Sequence, residues 1–459
     1  MTTPFPFEGL LLFGSLSIML IIGVLLRANV PFLQRFLFPS CLIGGVIGLL
    51  IINLGLLDLE ATDLETFAYH FFNISFISVG LTSGKSKAPP KSKANPLKGP
   101  LWMALVEGVT FPLQAASGGL LIIIFGWFGM ELFPSFAFLA PLGFTEGPGQ
   151  ALSIGKVWEG AGFAHAATIG LTFSAIGFFF AFFVGVPLVN WGIRKGYGSL
   201  AAKTISNDRL IGIVPKGSQK VSAGKLSMHS GNIDALAFQA AMVGVVYVLT
   251  YGFVMLLGKI LPADAAKILW GFFFFFGMGI ALLIRWGMGR IGIDYLIDAG
   301  VQHRITGWAV DYLIVTTVMA IQLVVIWQYI IPISIISLAS GILTTLVVIY
   351  LGGRIEDYNL ERTVAIYGTC TGTVSSGLLL LRIVDPEFET PVAVEIGVMN
   401  VIVVPIIVGC LLLVNAPIWW HWSLGLTTSI FAVIMVICLA LIKLLGLWGA
   451  SRFGNSESK

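Results

Sequence analysis

Two stretches collect polar and conformationally irregular residues inside apolar runs. The first, GFTEGPGQ at 143–150, holds Thr145, Glu146, Gly147, Gly149 and Gln150, with Ser153 just beyond. The second, GTCTGTVSSG at 368–377, holds Thr369, Thr371, Gly372, Thr373, Ser375 and Ser376. Pro148 has no N–H and the glycines loosen the backbone, so the first stretch cannot be one straight helix; the second has the same character without proline. A helix broken inside a membrane offers free amides at its new N-terminus and free carbonyls at its new C-terminus. The amides suit a carboxylate and the carbonyls suit a bare cation such as sodium. These residues are the candidate substrate site. Glu146 has three possible uses there: cation ligand, proton-carrying acid, or a group that repels anions. An exposed surface acid is the plain alternative, and helix hydroxyls often bond nearby carbonyls instead of ligands.

Further polar groups lie inside apolar runs. Asp311 and Glu107 are costly at membrane depth unless they face protein or a cavity. Asn73, Ser75 and Ser78 occupy one apolar run, and Asp311 and Thr316 occupy a run at the corresponding place later in the chain. With the weaker candidate Asn400, these six form the candidate sodium-binding set. No further metal is expected: Cys41, Cys370, Cys410 and Cys438 form no CxxC pair, and the histidines lack ligand spacing. No nucleotide loop and no nucleophile–base order stands out, so an enzyme is not expected, nor is a nucleic-acid partner.

The elements that must position these groups follow from composition. The chain has 459 residues, 57% of them hydrophobic and only 11% charged, against about 25% charged in soluble domains. Mean hydropathy is +0.94, and runs long enough to span a bilayer, about 20 residues, recur throughout. Full crossings are predicted near 8–26, 38–56, 66–82, 101–126, 163–189, 236–258, 266–284, 305–325, 330–351, 391–413 and 424–445. The first is read as a retained helix, not a leader. The interrupted segments 134–157 and 361–382 are predicted as hairpins that return to the side they left; kinked ordinary spans are the alternative. With the N-terminus outside and the C-terminus cytoplasmic, that topology puts 23 of the 26 Lys and Arg inside, the expected bias. Either hairpin crossing once breaks the pattern.

The order of elements repeats. FFNISFISVGLT, a long span, an interrupted segment and GFAHAATIGLTFSAIGFFFAFFVGVPL correspond to WAVDYLIVTTVMAIQL, a long span, TVAIYGTCTGTVSSGLLLLRIV and PVAVEIGVMNVIVVPIIVGCLLL. Each half makes five crossings, an odd number, so the halves have opposite topology. The expected fold is an all-α polytopic membrane protein of two inverted repeats, each with five transmembrane helices and a reentrant hairpin, plus one extra C-terminal helix. The divisions are 1–189 for the first repeat, 190–235 for a cytoplasmic linker, 236–413 for the second repeat, and 414–459 for the extra helix and tail. Such repeats with broken helices near the midplane characterise secondary transporters. A channel filter is another use of such loops.

Through FPSCLIGGVIGLL, FFNISFISVGLT and the two glycine-rich hairpins, the chain over about 1–415 resembles the bacterial sodium/glutamate symporters. That resemblance implies a multi-pass inner-membrane protein, a homodimer, sodium as the coupling ion, uptake of glutamate or a similar carboxylate or amino acid, and elevator-like alternating access. The loops depart from the family pattern. GFTEGPGQ lacks the histidine of the family's Ser-Gly-Gly-His-Gly-Thr-Gly type and adds Glu146. In YGTCTGTVSSG, Thr369 stands where a histidine falls and Cys370 is kept. No Arg lies at mid-membrane. Another organic anion or solute, coupled to protons through Glu146, is the alternative these departures leave open.

Overall fold

The structure, a computed structural model, describes residues 7–82, 97–199, 211–214, 216, 222–261, 266, 269–385, 390–450 and 453. The lysine-rich insertion at 83–96 and much of the expected linker lie outside the described residues. Within them the chain is helical and has no strand. In order come α1 (Glu8–Asn29), α2 (Pro31–Arg35), α3 (Ser40–Asn53), α4 (Ala61–Thr82) and α5 (Lys98–Trp127). A 3-10 turn (Phe136–Phe138) leads into α6 (Leu139–Phe144), followed by α7 (Pro148–Glu159), α8 (Ala166–Phe183), α9 (Gly185–Arg194) and α10 (Ala235–Ile260). A second such turn (Trp270–Phe272) leads into α11 (Phe273–Arg290), followed by α12 (Ala299–Met319), α13 (Leu323–Gln328) and α14 (Ile330–Gly352). The remainder is α15 (Asn359–Thr371), α16 (Val374–Val384), α17 (Val392–Leu413), α18 (Ala416–Trp419) and α19 (Leu424–Leu444).

Eight stretches among the described residues are long and apolar enough to cross a membrane: α1, α5, α8 with α9, α10, the second turn with α11, α14, α17 and α19. The chain is therefore an all-α polytopic membrane protein. Three of the eleven predicted crossings fall outside this set. α3 has only 14 residues. Pro39 precedes it, and Asn53 ends it by donating to the Leu49 carbonyl while accepting from the Leu323 amide. α4 and α12 are long enough, at 22 and 21 residues, but carry many polar side chains. α12 is also displaced from the predicted 305–325. Asp298 caps it by accepting from the Val301 amide, which starts the helix in polar sequence that an apolar window passes over.

Two packed groups organise the helices. α5 is deeply buried, with Trp102, Val106, Val109, Phe111 and Ala115 at 0% exposure. Around it stand α14, α15, α17, α19 and α6. In the second group α4 packs against α12 and α11, and α3 packs against α12 and α1. α1, α10 and α19 turn Leu10, Ile21, Val248, Leu256 and Val433 outward, an apolar exterior suited to lipid. Hydroxyls within the helices are hidden locally: Ser17, Thr250 and Thr317 each donate to a carbonyl one turn back.

Candidate substrate and cation site

α6 and α7 are the limbs of the first irregular segment, and α15 and α16 are the limbs of the second. The first break runs from Thr145 to Gly147. Gly147 has φ 91°, which side-chain-bearing residues rarely adopt. Pro148 then opens α7, where a missing N–H costs nothing. The second break is Gly372–Thr373. Neither α7 nor α16 has a side-chain cap, so the first amides of both lack an intrahelical partner.

α8 and α9 form a common support for both segments. Phe136 and Trp158, at the far ends of the first segment, both pack on Phe163 just before α8, with ring centroids 5.9 and 6.2 Å away. Gly155 lies against Ala167, Ala151 against Gly170, and Phe144 against Gly177. Both limbs therefore lie side by side, and the break sits about 16 Å along α8 from its start. In the second segment Leu360 packs on Gly192, and Tyr367 and Leu380 pack on Gly185. Its limbs approach closely: a Cβ on Gly368 would fall 2.7 Å from the Gly377 Cα. The segments lie end to end, and their breaks meet at Gly177. A Cβ there would fall 2.7 Å from the Thr371 carbonyl oxygen and 3.3 Å from the Phe144 Cα.

α5 ties the breaks together. Thr145 Oγ1 lies 2.9 Å from Gln114 Oε1 and 3.3 Å from the Cys370 carbonyl oxygen. Gln114 Nε2 donates to Thr344 Oγ1 (2.9 Å) and to the same Cys370 carbonyl (3.1 Å). Thr110 Oγ1 is 3.1 Å from Cys370 Sγ. Glu107, one turn earlier on this face of α5, is 5% exposed, and its Oε2 has no hydrogen-bond partner. Glu146, half-buried at the break, lies within electrostatic reach of Glu107 and of Cys370.

A second polar cluster lies between α4, α7 and the turn before α11. Gly149 packs on the Phe72 ring. Asn73 and Gln150 are each 1% exposed and Ser153 is 3% exposed. Both amide atoms of Gln150 and Ser153 Oγ lack hydrogen-bond partners, whereas Asn73, with no close hydrogen bond of its own, faces the hydroxyls of Tyr69 and Tyr247. Gln150, Ser153 and Val157 recur at three- and four-residue spacing, so they share a face of α7, and on it Ser153 and Val157 meet Gly271. Tyr69, one turn before Asn73, donates to the neighbouring Trp270 carbonyl. An uncommitted amide and a hydroxyl in a dry place are costly without a ligand or water. Beyond it α7 is held at its far end by Lys156, which pairs with Glu65 and Glu159.

The other candidates are distributed differently. Ser75 donates to the Phe72 carbonyl, Ser78 to the Gln302 carbonyl and side chain, and Thr316 to the Tyr312 carbonyl. Asp311 is exposed on α12, and its carboxylate faces the Cys41 thiol. Asn400 is half-buried on α17, which packs against α5, whereas α4 and α12 pack against each other. Thr369 and Thr371 donate to the Ala365 and Tyr367 carbonyls. Thr373 Oγ1 has no partner, Ser375 is half-buried, and Ser376 lies against Gly372. No group of three or more His, Cys, Asp or Glu able to hold a metal ion occurs among the described residues. Sequence reasoning missed Gln114, although Glu107, Thr110 and Gln114 recur at helical spacing. It also missed the buried pair Arg362–Glu395, bidentate at 2.7 and 2.6 Å, which anchors the start of α15.

No family model matches the sequence, and no curated protein does.

Proposed function

We propose that the chain is a secondary active transporter that couples sodium to the uptake of glutamate or a similar carboxylate by alternating access. On this reading the two broken segments are reentrant hairpins entering from opposite sides of a bacterial inner membrane, one in each of two inverted repeats. The observation that carries it is the end-to-end meeting of two uncapped breaks at Gly177, beside buried polar atoms with no partner. Irregular backbone at membrane depth is tolerated only inside protein or against a wet cavity, and binding at a repeat interface is the use transporters make of it. The repeat has further support, because the helices paired by the sequence repeat pack on each other: α4 on α12, and α5 on α14.

The roles follow from the chemistry. The free amides at the start of α7 hold the substrate carboxylate, an interaction worth roughly 0.3–2 kcal/mol in dipole energy alone. Gln150 and Ser153 fix its orientation. Asn73, buried on α4 beside the Tyr69 and Tyr247 hydroxyls, is the strongest of the expected sodium ligands, because Ser75, Ser78 and Thr316 already donate to backbone carbonyls. Thr145 and Gln114 hold the two breaks in register. An amino acid fits better than a dianion, because its ammonium group can face Glu146 and no Lys or Arg occurs in either break.

Reconstitution tests this. Vesicles carrying a sodium gradient should accumulate labelled glutamate, or another amino acid from a screened panel, above its equilibrium level. Flux that never exceeds equilibrium identifies a channel, and no sodium-dependent uptake of any solute in the panel defeats the reading.

A further inference from the structure

The acidic residues at the junction stand apart from the cluster around Asn73, Gln150 and Ser153. Thr110 and Gln114 reach Cys370, Gln114 also reaches Thr145, and Glu146 follows Thr145 in the chain. Glu107 lies on the same α5 face. We propose that Glu107 and Glu146 form a proton-carrying acid pair, holding one proton between them and exchanging it with water at the half-exposed Glu146. That this proton is a coupled ion rests on the transport reading; the pair itself does not.

The surroundings decide between a proton and a metal cation. Titratable groups facing the pair are the thiols of Cys370 on α15, Cys410 on α17 and Cys438 on α19, the last in contact with Gly108. α6, α8 and α14 carry no Asp, Glu, Lys, Arg or His. Of the basic groups on the packed elements, Arg362 is engaged with Glu395 beside Gly99, Lys98 with Glu356, and Lys443, about a turn beyond Cys438 on α19, is exposed. Gly99 is about 12 Å along α5 from Glu107. Pro112 also removes the intrahelical donor to the Gly108 carbonyl. The junction is thus rich in acceptors and poor in donors. Sodium, a hard cation, needs several oxygen ligands, whereas thiols are soft; the Thr110 hydroxyl is already turned to Cys370 Sγ and the Glu107 carbonyl. Glu107 is buried with an unpartnered Oε2, Glu146 stands at the break that Gln114 joins to the same face of α5, and no basic side chain among the described residues is paired with either, so the two acids retain a proton where a bare buried carboxylate would be costly. Releasing it to water leaves two carboxylates and requires no other reactant.

Infrared difference spectroscopy on the purified full-length protein in lipid nanodiscs tests this without a substrate. The wild type near neutral pH should show a protonated-carboxyl C=O band that the Glu107→Gln/Glu146→Gln double variant lacks. Asp311→Asn should leave the band in place. Identical spectra for wild type and double variant would overturn the proposal. So would loss of the wild-type band when sodium chloride replaces choline chloride at constant pH, which would make the pair a sodium site. If the double variant does not fold, Glu146→Gln alone must shift or remove the band, and an unchanged band overturns the pair. A band present without uptake of any solute supports the pair and defeats the transport reading. Sodium-driven uptake without the band defeats the pair alone.

Discussion

In the second broken segment Thr369 and Thr371 donate to carbonyls of their own helix, four residues back. In the first, Gln150 and Ser153 leave their polar side-chain atoms without partners, and Glu146 sits at the break itself. The second segment also closes more tightly, with the backbones of Gly368 and Gly377 in contact, and is anchored by the buried Arg362–Glu395 pair. The first is anchored through Lys156, whose side chain is 42% exposed. Two stretches that look alike in composition therefore differ in how their polar groups are satisfied. The second segment closes the hydroxyls of Thr369 and Thr371 within its own helix and leaves Thr373 Oγ1 open at the break, whereas the first leaves Gln150 and Ser153 open along α7. Hydroxyl content alone does not mark a binding surface; what matters is whether a carbonyl lies within reach.

The largest expected effect breaks the anchor of the second segment. Arg362→Gln leaves Glu395 buried without its cation and should destabilise the protein by roughly 3–5 kcal/mol, read as a lower thermal midpoint in detergent. Next, if the transport proposal holds, Gln150→Leu should cut amino-acid uptake by about 10–100-fold, the loss expected for about 1.5–3 kcal/mol of hydrogen bonding to a charged ligand. Normal uptake by this variant would erase the functional contrast between the segments. Gly368→Ala forces the limbs of the second segment apart and should cost roughly 1–3 kcal/mol by overpacking, seen again in the thermal midpoint. Thr371→Val removes a hydroxyl already bonded within its helix and should change uptake by no more than about 2-fold; a larger loss would place ligand contacts in the second segment after all. Lys98→Gln, at a partly exposed ion pair, should shift stability by at most about 1 kcal/mol.

Much of this architecture is legible in the residues. The broken segments predicted at 134–157 and 361–382 correspond to 136–159 and 359–384, because glycine, proline and threonine interrupt apolar runs sharply. The polar groups at Asn73 and Gln150 stand out for the same reason. Other features are not local properties. The fate of Thr369 or Thr316 depends on a carbonyl four residues back in a formed helix. Whether Asp311 meets a sodium site or an open face depends on how α12 is rotated against α3 and α4. The start of α12 was obscured because capping by Asp298 works through a backbone amide that an apolar count cannot register. Gln114 was visible only as spacing: its significance requires α5 to pass both breaks at once.

The support formed by α8 and α9 carries one more consequence. Both segments are gauged against this one rod, at Ala167, Gly177 and Gly192. Inserting a single residue between Gly177 and Gly185 would rotate everything beyond it by about 100° and advance it by about 1.5 Å. The contacts at Gly185 and Gly192 would then point away from the second segment. The spacing of this rod therefore acts as a ruler, and its length should tolerate substitution far better than insertion or deletion.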